Sequence, residues 1–153
     1  VGWAVAAALG ALWLGAAPEA PAIASFESVA SADDAVVAMW EPGGDVVGDE
    51  VTGEVVWSSG RQEGVMRFSG LAPNLPSELQ YQLWIFDEDR DARYPVDGGV
   101  FDVPRGGGVV EIPVRPRLPV EAPTLWAVTV ERPGGVVVSD RSRIATLARV
   151  SEE

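Results

Sequence analysis

Short runs in which apolar and polar residues alternate, separated by Gly, Pro, Asp and Asn, fill the chain from Asp34 onward. A period of two marks a strand that shows one face to a core and the other to water. Eight runs are predicted as strands: 35–40, 53–57, 64–70, 79–86, 99–103, 109–115, 125–131 and 143–150. In Met66-Arg67-Phe68 the apolar residues face one way and the arginine the other. In Val110-Glu111-Ile112-Pro113-Val114 the same alternation turns Glu111 and Pro113 to solvent. Proline has no N–H to give a neighbour, so Pro113 suits an edge strand. By contrast Leu83-Trp84-Ile85-Phe86 is apolar on both faces, which predicts a central strand covered on each side. Tyr81, Leu83 and Ile85 should face one layer, and Trp84 and Phe86 the other. The economical architecture for 35–150 is all-β, an antiparallel two-sheet β-sandwich with Ig-like or Greek-key wiring. The Cys–Trp–Cys signature of antibody-type domains is absent.

Ahead of these runs the pattern changes. Residues 1–17, VGWAVAAALGALWLGAA, carry no charge. A helix of that length spans roughly 25 Å, against about 30 Å for a hydrocarbon core. The sequence begins without methionine, so the expectation is that the span continues upstream. A transmembrane helix is the preferred reading, with the chain in the cell membrane by a single pass. Two alternatives stay open: a signal-peptide core cleaved after Ala22-Ile23-Ala24, and a buried core helix. The flank Pro18-Glu19-Ala20-Pro21 is acidic and has no cation, which fits residues 18–153 lying outside the cytoplasm. Residues 18–34, rich in Ala, Pro, Ser and Asp, read as a juxtamembrane linker, or as a short helix around 25–32.

Composition narrows the chemistry. Twenty-three acidic residues stand against 11 basic ones, all arginine, for a net charge of −12. Such a surface repels phosphate backbones, so no nucleic-acid partner is expected. The chain has no histidine, cysteine or lysine. Imidazole-assisted nucleophiles, Schiff bases and thiolate or imidazole zinc sites are thereby excluded. Only carboxylate chemistry remains.

Three constellations test that remainder. Asp87-Glu88-Asp89-Arg90-Asp91, with Asp97 after it, resembles a Ca²⁺ loop. However, Ala92 stands where such a loop needs its turn glycine, and Gly98 where it needs its bidentate glutamate. Arg90 and Arg93 also interrupt the negative field, and a solvated β-turn is the better reading. A glycosidase pair of carboxylates would need an aromatic cleft, but Trp57, Trp84 and Trp126 lie inside strand-like runs where core packing is their usual role. The groups Gly98-Gly99, Gly106-Gly107-Gly108 and Gly134-Gly135 sit between strands rather than before a helix, so they read as hairpin turns, not phosphate loops. No catalytic, cofactor-binding or metal-ligating residue is assigned, and the chain is not expected to be an enzyme.

Three pieces in order carry a family resemblance: Tyr81-Gln-Leu-Trp-Ile-Phe-Asp87, Val96-Asp-Gly-Gly-Val-Phe101 and Ala127-Val-Thr-Val-Glu131. Together with Gly53-Glu-Val-Val-Trp57 and the turn Ser69-Gly-Leu-Ala-Pro73, they resemble the C-terminal domain of RskA-type anti-sigma-K factors over about 34–150. Ala72 departs from the family's Gly-Leu-Pro turn, and Ser139-Asp-Arg-Ser-Arg-Ile144 departs from its usual final turn. The resemblance implies a single-pass regulator with a cytoplasmic helical domain that holds an extracytoplasmic-function sigma factor. A membrane helix and an outer β-domain follow. Only the counterparts of the last two parts are expected in this sequence, so a sigma factor would be met through a cytoplasmic domain N-terminal to residue 1. It further implies that the outer domain blocks site-1 cleavage until a signal exposes the linker near 18–34, after which intramembrane proteolysis releases sigma. The alternative from another class is a membrane-tethered Ig-like binding or structural module unrelated to transcription.

Overall fold

The computed structural model describes residues 24–151. A short helix α1 (Phe26–Ala30) is followed by eight strands: β1 (Ala35–Pro42), β2 (Thr52–Ser58), β3 (Glu63–Ser69), β4 (Gln80–Asp87), β5 (Val96–Phe101), β6 (Val110–Val114), β7 (Pro123–Glu131) and β8 (Ile144–Arg149). All eight predicted strands are present, shifted by a few residues at their ends. The apolar segment 1–17, expected to cross a membrane, lies outside the described residues. Among those described, no helix is long and apolar enough to cross a membrane.

The strands are antiparallel and run in the order β5-β4-β7-β8-β1-β2-β3-β6. Two separate sheets were expected; one continuous hydrogen-bonded series is found. The reason is β1, which pairs with β2 along Ala35–Met39 and with β8 along Trp40–Pro42. The end strands β5 and β6 approach each other without forming a ladder, so the sheet curls nearly shut. Pro113 does lie on an edge strand, β6, with its side chain exposed as the alternation required.

Inside the curl, alternate residues build one core: Val55 and Trp57 of β2, Met66 and Phe68 of β3, Tyr81, Leu83 and Ile85 of β4. Across β1, β8 and β7 the register places Ala148 between Trp40 and Trp126, a small residue between two buried indoles. The predicted sidedness of β4 holds. Its other face carries Trp84, buried beneath residues 137–141, with the Arg141 guanidinium 5.1 Å from the Phe86 ring centroid.

One glycine pair departs from the hairpin reading. Gly98-Gly99 lies within β5, where the register jumps from Leu83↔Gly99 to Trp84↔Asp97 and bulges Gly98 out of the pairing. A Cβ on Gly98 would meet the Leu83 side chain at 2.5 Å, and Gly99 sits at φ 97°, so the bulge requires both glycines. Gly106, Gly107, Gly108, Gly134 and Gly135 have positive φ in the connections between strands.

Candidate functional site: the docked linker helix

The segment 18–34, expected to be a linker, is described from Ala24 onward, and the described part packs against the sheet. Ser25 is the N-cap of α1, with extended backbone angles, and its hydroxyl accepts a hydrogen bond from the Ser28 N–H at 3.2 Å. The helix has only five residues, too few to persist in water by themselves. What holds it is its apolar side. Phe26 and Val29, one turn apart, pack with Val56 of β2 and Val65 of β3 into a second cluster on the outer face of the sheet. Val56 and Val65 point away from the main core because their neighbours Val55, Trp57 and Met66 point into it.

Charged groups frame this contact. Arg67 on β3 donates to Glu54 on β2 at 2.6 Å and to Glu27 of α1 at 2.9 Å. Its guanidinium lies 3.8 Å from the Phe26 ring centroid, a cation–π contact over the packed ring. The Arg61 guanidinium donates to the Ser28 carbonyl at 2.8 Å. Beyond the helix, the Asp34 carboxylate accepts from the Gly60 N–H at 2.6 Å and the Ser58 hydroxyl at 2.7 Å. These two bonds, the Gly60 one foremost, hold the Asp34 pKa below its usual 3.8. Every one of these partners belongs to the β2–β3 hairpin.

The energetics of this dock are nearly balanced. Burying Phe26 and Val29 contributes roughly 1.5–3 kcal/mol each, and a serine cap about 1 kcal/mol. Fixing the five-residue backbone opposes this by about 1–2 kcal/mol per residue. A contact so close to balance can be opened by a small perturbation. The sequence offered a short helix here as one of two readings, and the dock was missed. The available signal was the unbroken apolar run Val55-Val56-Trp57, which calls for a cover on both faces of β2.

Several of the residues weighed for chemistry are engaged in bonds that hold the fold. Asp87 accepts from the N–H groups of Asp89, Glu121 and Ala122, which fastens the loop before β7 to the end of β4. Asp91 pairs with Arg93 at 2.6 Å, and Asp97 accepts from the Gln82 amide and the Gly99 N–H. No group of three or more metal-ligating side chains occurs among the described residues. Trp57 and Trp126 are in the main core, and Trp84 donates to the buried Thr129 hydroxyl at 2.9 Å.

The motif residues converge on one another. Tyr81 stacks on Phe101 with ring centroids 5.6 Å apart, and Phe101 in turn meets Phe68 at 5.8 Å. The Tyr81 hydroxyl donates to the Ala72 carbonyl at 2.7 Å, so the inserted residue of the turn supplies the acceptor for the first residue of the Tyr-Gln-Leu-Trp strand. Burial foremost, then the charge of Asp45, pushes the Tyr81 pKa up to about 12, with Arg143 opposing.

A family model described as anti-sigma-K factor RskA, C-terminal, matches residues 2–141. It begins within the apolar start and stops ahead of β8, where the expected match covered about 34–150. No match was found among curated proteins or among solved structures. A match over most of the chain, on a fold whose recognised strands pack as a single unit, shows that the chain belongs to the anti-sigma-K factor RskA C-terminal family.

Proposed function

We propose that this chain is the outer, regulatory part of a membrane-anchored anti-sigma factor, acting by controlled exposure of its linker rather than by catalysis. Residues 1–17 form the membrane helix, 18–34 the juxtamembrane linker, and 35–150 the control domain outside the cytoplasm. The sigma factor is held by a cytoplasmic domain N-terminal to residue 1, and the proteases act on the linker and then within the membrane.

The observation that carries this reading is the dock of α1 on the β2–β3 hairpin. A protease needs an opened, extended substrate, so cleavage of a docked segment follows the population of the undocked state. Protection of the linker then requires the folded domain, because Val56, Val65 and Arg67 are positioned only when β2 and β3 pair. The near balance of the dock makes that population adjustable by modest forces or ligands.

The test is made in the full-length parent protein in its membrane. Val65→Asp places a charge under Phe26, and deletion of residues 35–153 removes the dock altogether. Both should raise expression of the sigma-dependent genes, with a shortened membrane-bound fragment appearing on immunoblots. Unchanged expression in the deletion strain would show that the outer domain has no control role.

A further inference from the structure

The two free edges of the sheet differ. The β6 edge carries Pro113, a residue that blocks pairing by another strand. The β5 edge carries no proline, and its irregularity is the bulge at Gly98. It bonds to β4 on one side only, and its middle residues Asp97, Gly99 and Val100 are exposed. Gly98 and Gly99 leave the backbone there bare of side chains, so a second backbone can approach closely.

This edge lies in an open groove of about 560 Å³, walled by the segment after β6 and the segment after β7. The groove gathers Arg115, Arg117 and Arg132, three of the 11 cations on a chain of net charge −12. Its one acid, Asp97, is already engaged by Gln82 and Gly99. Arg115 reaches Glu63 at 3.6 Å, while Arg117 and Arg132 are exposed and make no ion pair among the described residues. Leu118, Val100 and Val137 add exposed apolar surface at the same place. A cationic, partly apolar groove along a proline-free strand edge fits an extended chain with alternating acidic and apolar side chains.

We propose that the β5 edge is a docking site for an extended acidic segment of a partner protein, which adds as a further strand and sets its carboxylates against Arg117 and Arg132. Main-chain bonds to β5 give the affinity, and the arginines select for charge. The inference is independent of the regulatory reading, since the groove contains none of the residues that hold α1.

The test uses the full chain in neutral detergent and a fluorescein-labelled decapeptide of alternating Val and Glu, read by anisotropy. Micromolar binding is expected. It should weaken at least about tenfold for Arg117→Glu/Arg132→Glu, but little for Arg105→Glu/Arg149→Glu, which changes the net charge equally outside the groove. A peptide N-methylated at alternate residues, unable to pair along one edge, should also bind at least about tenfold more weakly. No binding, equal binding of a Val–Lys peptide, or indifference to N-methylation would overturn the proposal. So would sedimentation with vesicles of equal phosphatidylcholine and phosphatidylglycerol without peptide binding, which would mark a lipid-facing surface instead.

Discussion

The guanidinium of Arg67 covers the ring of Phe26 at 3.8 Å, with Glu54 and Glu27 on its two nitrogen edges. The buried ring and its cover come from α1 and β3, far apart in the chain, so the contact reports whether α1 is docked. Phe26 belongs to the satellite cluster and not to the main core. Truncating a buried Phe to Ala removes about 3–5 kcal/mol, more than a nearly balanced dock can lose. Phe26→Ala should therefore release α1 while the sheet stays folded. Hydrogen exchange should show lost protection at 26–32 with β2 to β4 unaffected, and unchanged protection at 26–32 would refute the dock as described.

A second cover lies over β4. The Trp84 indole donates to the Thr129 hydroxyl, which donates to Glu131, and Glu131 also accepts from Ser139 in the β7–β8 connection. Thr129→Val keeps the shape but strands a buried indole N–H, worth about 1–3 kcal/mol. The expected result is a lower urea midpoint and faster exchange through 132–142, with Thr129→Ser close to wild type. A valine variant as stable as the parent would show that this chain of bonds holds nothing.

Both covers bear on what was legible in the sequence. Alternation placed all eight strands and the sidedness of β4, because the pleat makes face a property of position alone. Neighbour relations are not written that way. Nothing in Ala35–Pro42 says that its first half pairs with β2 and its second with β8, and so the joining of the expected sheets into one series was not visible. Gly98-Gly99 looked like a turn because a bulge and a turn call for the same residue. The dock of α1 was hidden for a different reason: a five-residue helix has too little periodicity to declare a face. The family motif, by contrast, was visible as ordered strings of residue types, and some of its residues meet in the fold, Tyr81 stacking on Phe101 and bonding to Ala72.

That meeting gives an alkaline signature. Tyr81 has its pKa raised from 10.0 to about 12, chiefly by burial. A raised pKa means the folded state holds the proton more tightly than the unfolded one, so the stabilisation is complete below pH 10.0 and disappears as pH climbs toward 12. In Tyr94→Phe, which leaves Tyr81 as the sole tyrosine, tyrosinate absorbance should rise near pH 12 together with unfolding. Tyr81→Phe should remove about 0.5–1.5 kcal/mol at neutral pH through the lost bond to Ala72. It should also flatten the alkaline decline. A Tyr81 that titrates near 10.0 in the folded protein would contradict the buried hydrogen bond.

Asp87 gives the acid counterpart. Burial alone pushes its carboxyl up, but the N–H groups of Asp89, Glu121 and Ala122, with the charge of Arg90, outweigh burial and hold the pKa below 3.8. A depressed pKa means that the unfolded state binds more protons in that interval. The stabilisation is therefore present above pH 3.8 and is lost as pH falls through the folded value. Asp87→Asn keeps one acceptor oxygen but turns an NH₂ toward the N–H donors of Glu121 and Ala122, or else toward Asp89. The variant should be less stable than the parent at neutral pH, with its loop at 119–122 loosened. Urea unfolding across pH should show the gap between the two proteins closing below pH 3.8, where the parent's carboxylate is neutralised. A gap that stays constant into strong acid would mean that the charge of Asp87 does not fasten the loop before β7.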